Sequence, residues 1–507
     1  MGEVLQRVNQ TVWGVPTLVL ILLAGVYISV RCGFPQLAFF PRSVRYFLKN
    51  FRKKDTPDKV SPYQALCTAL AATVGTGNLA GVAGAISLGG PGAVFWMWVC
   101  AFFGMAIKFA EATLSVCYRT SGDRGEYLGG PMYMIRCGMP RKWHWLAGVY
   151  SFFGVVAAFG VGNATQINAV IGGVHSVFQA YNLPGFPGIN LVIGLLLAVF
   201  VGRILLGGAK KITSATERIV PFAAAGYILL CVGVLVICRN RIPDAFFSII
   251  SGAFAPRAVT GGVIGSMLVS IRVGASRGTF TNEAGMGTAS MAHSSAAVMH
   301  PAQQGMMGII EVFLDTIVIC TLTALVILCS GIPVIYGYDV GVELTADAFS
   351  SVYGPWVQIM LTLALCAFAV ATVIGWGLYG IRCAQYLFGK NVWRKFAYIQ
   401  IGTILVSSVL STGTVWLLSE TVNGLMAIPN LIALIALTPR LYSVTKEFRK
   451  MSDRDSVGGG TYENFKQCQS LRAVSYEKVS PPGGESGKRR QEDLSFKYRS
   501  ARSAHSS

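Results

Sequence analysis

Apolar runs of about 18 to 25 residues recur along the chain from Pro16 to Arg440, separated by shorter polar connections. As helices rising about 1.5 Å per residue, such runs cross a hydrocarbon core of about 30 Å. One run alone would also suit a buried core helix, but so many in succession read as a polytopic membrane domain. Lipid offers bare backbone no hydrogen-bond partner, so the spans must be helical. The pattern predicts spans near 16–32, 64–89, 92–118, 145–178, 187–206, 219–238, 258–276, 303–331, 355–382, 396–418 and 422–439, about 11 in all. Arg7 ahead of the first run resembles a signal peptide, but the run continues into Val30, Arg31 and Cys32 without a small-x-small cleavage site, so it is read as a retained span.

The second run is interrupted. Residues 71–82 read AATVGTGNLAGV, and Gly77 and Gly81 have the spacing of a small-residue packing face. Packing does not account for Thr73, Thr76 and Asn78 in the same turn. A mid-membrane Asn is costly unless paired, and Gly costs about 1 kcal/mol against Ala in helix propensity, so the two together mark backbone that opens. An opened turn frees carbonyls for a cation and aims a helix N-terminus at an anion.

Composition agrees: of 507 residues 53% are hydrophobic and 13% charged. The net charge of +19 is distributed by connection, not as a nucleic-acid face. Arg42, Arg45, Lys49, Arg52, Lys53, Lys54 and Lys59 fill the first connection, and Arg119, Arg124, Arg136, Arg141 and Lys142 the third. Further basic clusters fall at Arg203 to Arg218 and Arg382 to Lys395, whereas the connection from Gly331 to Gly354 carries Asp339, Glu343 and Asp347 without a Lys or Arg. Basic residues on every second connection predict an N-terminus outside and a cytoplasmic C-terminus. Arg239, Arg241 and Arg257 are discordant, falling on the expected outer side. The chain divides into an extracytoplasmic N-terminus (1–15), a membrane domain (16–440) and a basic tail (441–507) expected to be disordered. Lys488, Arg489 and Arg490 in that tail suit either anionic lipid or plain solvation. The twelve cysteines are scattered, and the five histidines (His144, His175, His293, His300, His505) form no catalytic or metal group, which argues against an enzyme.

The run VGTGN at 74–78 has a counterpart in the unwound first core helix of LeuT-type sodium symporters. SLGGPGAVFWMWVCAFFGMAIKFAE at 87–111, GGPMYMI at 129–135 and TNEAGMGTA at 281–289 closely resemble the alanine or glycine:cation symporter family, with the tail longer and more basic than that family suggests. The resemblance implies an all-α, LeuT-type core of two inverted five-helix repeats preceded by one extra helix. It also implies import of a small neutral amino acid, alanine or glycine, coupled to sodium by alternating access, in the bacterial cytoplasmic membrane, without a further cofactor and as a monomer. The sixth core helix would be Ala258 to Ala275, interrupted by Gly261, Gly262 and Gly265, and two broken helices at corresponding positions point to a midplane site.

On that reading the substrate carboxylate meets backbone N–H groups near Thr76, Gly77 and Asn78, and its ammonium meets Gln166 and carbonyls around Gly265. Gln166, Asn163 and Asn168 could equally serve interhelical hydrogen bonds; the resemblance favours Gln166 for the pocket. Thr372 and Trp376 share a helical face. Thr372 could bond its own backbone and Trp376 could be interfacial, but the resemblance assigns them to ion or substrate, with Trp376 limiting side-chain size. Sodium is expected on the carbonyls of Ala71 and Val74 with the Thr372 hydroxyl, and on Thr73 and Asn78. Lys108 and Glu111 are read as an i,i+3 ion pair, Thr281 to Glu283 as a cytoplasmic cap, and no other carboxylate is expected at mid-membrane depth. A channel would need a continuous polar face; a polyamine carrier would need carboxylates; proton coupling or another small solute on the same fold remains an alternative.

Overall fold

The structure, a computed structural model, describes residues 7–9, 11–51, 59–122, 126–338, 341–409 and 412–455. Arg52, Lys53, Lys54, Arg124, Asp339 and the tail beyond residue 455, with its basic cluster and His505, lie outside the described residues. The chain divides into two units, Met1–Lys446 and Glu447–Ser507, and the helix breaks and cavity that concern function all lie within the first.

The apolar runs fold as helices α1 (Val15–Arg31), α2 (Pro62–Thr73), α3 (Val82–Gly89), α4 (Gly92–Cys117), α5 (Trp145–Phe159), α6 (Thr165–Ala180), α7 (Ile189–Leu205), α8 (Gly208–Ile237), α9 (Ile242–Phe254), α10 (Met267–Asn282), α11 (Thr288–His293), α12 (Pro301–Val312), α13 (Thr321–Ser330), α14 (Val342–Tyr353), α15 (Val357–Phe388), α16 (Trp393–Ser407) and α17 (Thr412–Asp455). Among the described residues, strand structure is confined to a two-residue pair, Thr120–Ser121 with Tyr127–Leu128. Among those residues, six helices are long and apolar enough to cross a membrane, seven if the bent pair α2 and α3 counts as one span; α1 and α7 are shorter apolar helices. The expected eleven spans therefore exceed what length and composition certify. α10 is the instructive case: it is 16 residues long and carries Arg272 and Arg277.

Three stretches of wide π-helical turn interrupt these rods: Gly77–Gly81 ahead of α3, Gly160–Ala164 between α5 and α6, and Phe313–Cys320 between α12 and α13. Such turns shift side chains out of register and recur at functional sites. α2 starts on a capping box in which the Ser61 hydroxyl accepts from the Gln64 N–H at 3.1 Å and Gln64 Oε1 accepts from the Ser61 N–H at 3.0 Å. α12 starts the same way, on His300 and Gln303. Both use Pro at the first helical turn, where its missing N–H is harmless.

The run Leu88 to Gly92 reads as packing. A Cβ at Gly92 would overlap the backbone of Gly252 in α9, and one at Gly274 in α10 would overlap the Ala93 carbonyl. The N-terminus of α4 thus lies between α9 and α10 at backbone contact, which small residues allow. The discordant Arg241 also finds a role: its guanidinium donates to the carbonyls of Cys329 (3.2 Å) and Ser330 (3.0 Å), the end of α13. A cation at a helix C-terminus satisfies orphan carbonyls and the dipole, which gives Arg241 a local structural role.

Gly92→Ala is expected to lower the melting temperature of the purified protein, as overpacking against backbone costs about 1–3 kcal/mol. Gly148 lies in α5 with no atom within 4 Å of the place a Cβ would take, so Gly148→Ala should be neutral or gain up to about 1 kcal/mol from helix propensity. Fluorescence-detected thermal unfolding of both variants in detergent checks the contrast.

Candidate substrate and ion site

The first break lies where the glycines and Asn78 predict it. α2 ends at Thr73, Val74 is extended (φ −78°, ψ 107°), and the segment Gly77–Gly89 leaves at 56° to α2. The side chain of Asn78 holds the turn: its Oδ1 accepts from the Gly75 N–H at 2.8 Å, and its Nδ2 donates to Asp315 Oδ1 at 2.8 Å and to the Asp315 carbonyl at 3.2 Å. Asn78 is therefore buried and fully engaged. Gly75 is required by closeness, since a Cβ there would stand 3.0 Å from Thr372 Oγ1. That hydroxyl donates to the Ala71 and Phe368 carbonyls, both at 2.9 Å, joining α15 to the end of α2.

The second break does not lie at Gly261 to Gly265. Gly261 and Gly262 have positive φ (63° and 89°) in a turn ahead of α10, and both, like Gly265, are exposed. Those glycines serve an exposed turn and not a buried, opened helix. The break comes after α10, where Glu283 (φ 51°), Gly285 (φ 95°) and Gly287 (φ 78°) adopt left-handed backbone before α11. The backbone N–H groups it frees are met by a carboxylate. Glu111 Oε1 accepts from Gly285 at 3.0 Å, Gly287 at 3.1 Å and Asn430 Nδ2 at 2.8 Å, while Asn430 also donates to the Gly285 carbonyl at 2.8 Å. The Tyr150 hydroxyl donates to the Met286 carbonyl at 3.1 Å.

Between the breaks lies a small cavity. Of the residues expected at the site, Thr73, Thr76, Gly77, Gln166 and Thr372 line it, together with Gly75. Ala71 adjoins it through its carbonyl, and Val74 is buried at the break. Gln166 stands just after the π turn of Gly160–Ala164. Its Nε2 makes long contacts to the Val161 carbonyl (3.3 Å), Thr165 Oγ1 (3.4 Å) and Thr76 Oγ1 (3.5 Å), and its buried Oε1 accepts from no described residue. Trp376 is fully buried but not among the lining residues; it packs on Gly162 and meets Tyr379 edge-on at 5.7 Å. Gly265 is not brought to the cavity. Asn163 donates to the Gln400 carbonyl at 3.0 Å, an interhelical bond.

Sequence reasoning missed Thr165, Phe280, Thr281 and Glu283, which line the cavity. The signal was the polar and Gly-rich TNEAGMG, whose two glycines mark left-handed turns. It also missed a buried cluster of charge. Glu111 is not paired with its helix neighbour; Lys108 Nζ lies 3.1 Å from Glu311 Oε1, and His293 Nε2 lies 2.7 Å from Glu311 Oε2. His293, expected in a cytoplasmic segment, is buried and also bonded to Gln304 at 2.6 Å. Asp315, bonded to Asn78 and Thr316, adds a carboxylate at the first break itself. Spacing along one helix suggested an i,i+3 pair, but three-dimensional packing supplies better partners from α12 and α17.

Comparison with known proteins is consistent over nearly the whole length. The family model described as the sodium:alanine symporter family matches residues 1–458. The sodium/alanine symporter AgcS of Methanococcus maripaludis is 41% identical over 90% of this chain and 98% of its own. A Bacillus subtilis protein named as a probable sodium/glutamine symporter, GlnT, is 34% identical over 90% of this chain and 94% of its own. Among solved structures, MhsT in complex with L-phenylalanine aligns with a TM-score of 0.54 at 16% identity, covering 77% of this chain and 99% of that one, a likeness of fold.

Removing the Asn78 side chain leaves Asp315 Oδ1 without its donor and only the Thr316 hydroxyl on Oδ2, so Asn78→Ala should destabilise by about 1–3 kcal/mol. Because the two share one interaction, Asp315→Ala added to it should cost less than Asp315→Ala alone. A double-mutant cycle read by thermal unfolding checks this; additive losses would show that the pair does not brace the turn.

Proposed function

This chain belongs to the sodium:alanine symporter family, and we propose that it imports a small neutral amino acid, alanine or glycine, coupled to sodium by alternating access. The supporting observation is the meeting of oxygens at the first break, with the Thr372 hydroxyl 2.9 Å from the Ala71 carbonyl beside the cavity that Gln166 lines. A hard cation needs several oxygens, and opened backbone offers them. Sodium binds the Ala71 and Val74 carbonyls with the hydroxyls of Thr372 and Thr73, while Asn78 braces the turn. The substrate carboxylate faces the N–H groups at Thr76 and Gly77, where the dipole of the outer half-helix favours an anion. The ammonium faces Gln166 Oε1. Trp376, behind Gly162, sets the wall that limits side-chain size. The protein works as a monomer in the bacterial cytoplasmic membrane, N-terminus outside and C-terminus in the cytoplasm.

The energetics suffice for accumulation. A potential of 100 mV supplies about 2.3 kcal/mol per charge, and a tenfold sodium gradient adds about 1.4 kcal/mol. One sodium per substrate then sustains an amino-acid gradient of several hundredfold. The relative named for glutamine favours a second reading, a larger neutral amino acid in the same site. Competition of glutamine against alanine uptake separates the two.

In proteoliposomes, replacing sodium by choline at constant pH should abolish alanine uptake, and Thr372→Ala should raise the sodium concentration for half-maximal transport. Gln166→Ala should weaken alanine about ten- to a hundredfold through loss of a desolvated bond to a charged group. Trp376→Ala should admit larger apolar amino acids. Full uptake without sodium, driven by a pH gradient alone, would overturn sodium coupling.

A further inference from the structure

The cavity contains a carboxylate that the function above leaves without a role. Glu283 lines it, 3% exposed, at the first left-handed residue after α10. Its neighbours have their partners already. Glu311 holds Lys108 at 3.1 Å and His293 at 2.7 Å. Glu111 Oε1 accepts from two backbone N–H groups and Asn430. Asp315 accepts from Asn78 and from the Thr316 hydroxyl, both at 2.8 Å. Glu283 accepts from the Thr288 hydroxyl at its Oε2. One neutral donor is thin compensation for a buried carboxylate, which is costly without a cation or several hydrogen bonds. The cation of the cluster, Lys108, is held by Glu311.

A second, independent observation lies on the same wall. Gln166 Oε1 is a buried acceptor with no donor among the described residues, and it too faces the cavity, 4.0 Å from the place a Cβ on Gly75 would take. Two acceptors on one small cavity, one of them anionic, call for a compact cation carrying several N–H donors. A primary ammonium is that group, with three donors in fixed directions.

We infer that Glu283 is the anionic contact for the ammonium of the transported amino acid, acting with Gln166 Oε1. This rests on the amino-acid reading above and deepens it. The carboxylate makes a free α-ammonium obligatory: a solute of the same shape without it leaves Glu283 buried and unpaired, and a site built around a buried polar partner rejects such analogues strongly. Alanine is accepted; lactate, propionate and N-acetylalanine are refused.

The test measures binding by the purified full chain at saturating sodium, as ligand-dependent protection from thermal unfolding, for the wild type, Glu283→Gln and Glu283→Asp. The wild type should be protected by alanine and not by lactate. Glu283→Gln should weaken alanine at least tenfold and narrow its margin over lactate, with the sodium dependence of protection by sodium alone unchanged, and Glu283→Asp should retain part of the alanine affinity. Absence of alanine binding by the wild type overturns the amino-acid reading and the role of Glu283 together. Alanine bound equally by wild type and a folded Glu283→Gln overturns the role of Glu283 alone, as does a change confined to the sodium dependence. Should Glu283→Gln fail to fold, Glu283→Asp carries the test: alanine affinity equal to wild type refutes the contact.

Discussion

A helix opened inside a membrane frees N–H and C=O groups that lipid cannot satisfy, and the way this protein meets that demand governs the rest of its structure. At the second break the answer is one carboxylate oxygen: Glu111 collects the N–H groups of Gly285 and Gly287 together with the amide of Asn430. Three segments far apart in sequence are thereby locked to one atom. At the first break the answer is an amide, Asn78, which closes the turn on Gly75 and anchors it to Asp315. The two openings line one cavity, the first anchored by Asp315 and by Thr372 of α15, the second by Glu111 of α4 and Asn430 of α17.

Satisfying backbone with side-chain charge creates a second demand. Four carboxylates, Glu111, Glu283, Glu311 and Asp315, are buried in this region with Lys108 and His293. Buried ions are tolerated when paired and bonded, and removing one partner is far more damaging than the pair is stabilising. Three of these carboxylates are bound into structural roles by several donors each. The asymmetry left at Glu283 is what separates a framework group from one available to a ligand, and it is visible only when every partner is counted.

The sequence carries the architecture more clearly than the chemistry. The span of α4 and the rod formed by α5 and α6 are legible to within a residue or two, since apolar length between polar connections is a direct physical requirement. The break at Val74–Thr76 is legible because Gly and Asn at mid-span have no other economical explanation. Gly261, Gly262 and Gly265 mislead for the same reason, as glycine in an exposed turn looks like glycine in an opened helix until burial is known. Glu283 looks like part of a cytoplasmic cap because a Thr-Asn-Glu run reads as solvated; in the fold it is buried, with its carboxylate bonded to Thr288 at the start of α11. The partners of Lys108 and Glu111 are not legible at all, lying about 200 and 320 residues downstream.

That last separation bears on biogenesis. α4 leaves the ribosome carrying Lys108 and Glu111 within a 26-residue apolar span, about 200 residues before Glu311 exists and about 320 before Asn430. At roughly 5–20 residues per second, this is on the order of 10–60 s during which α4 lacks its final partners. Lys108 and Glu111 are three residues apart on α4, so until α12 and α17 arrive each has the other as its nearest opposite charge. The pairing of α4 is therefore completed only when the last span, with Asn430, has been made.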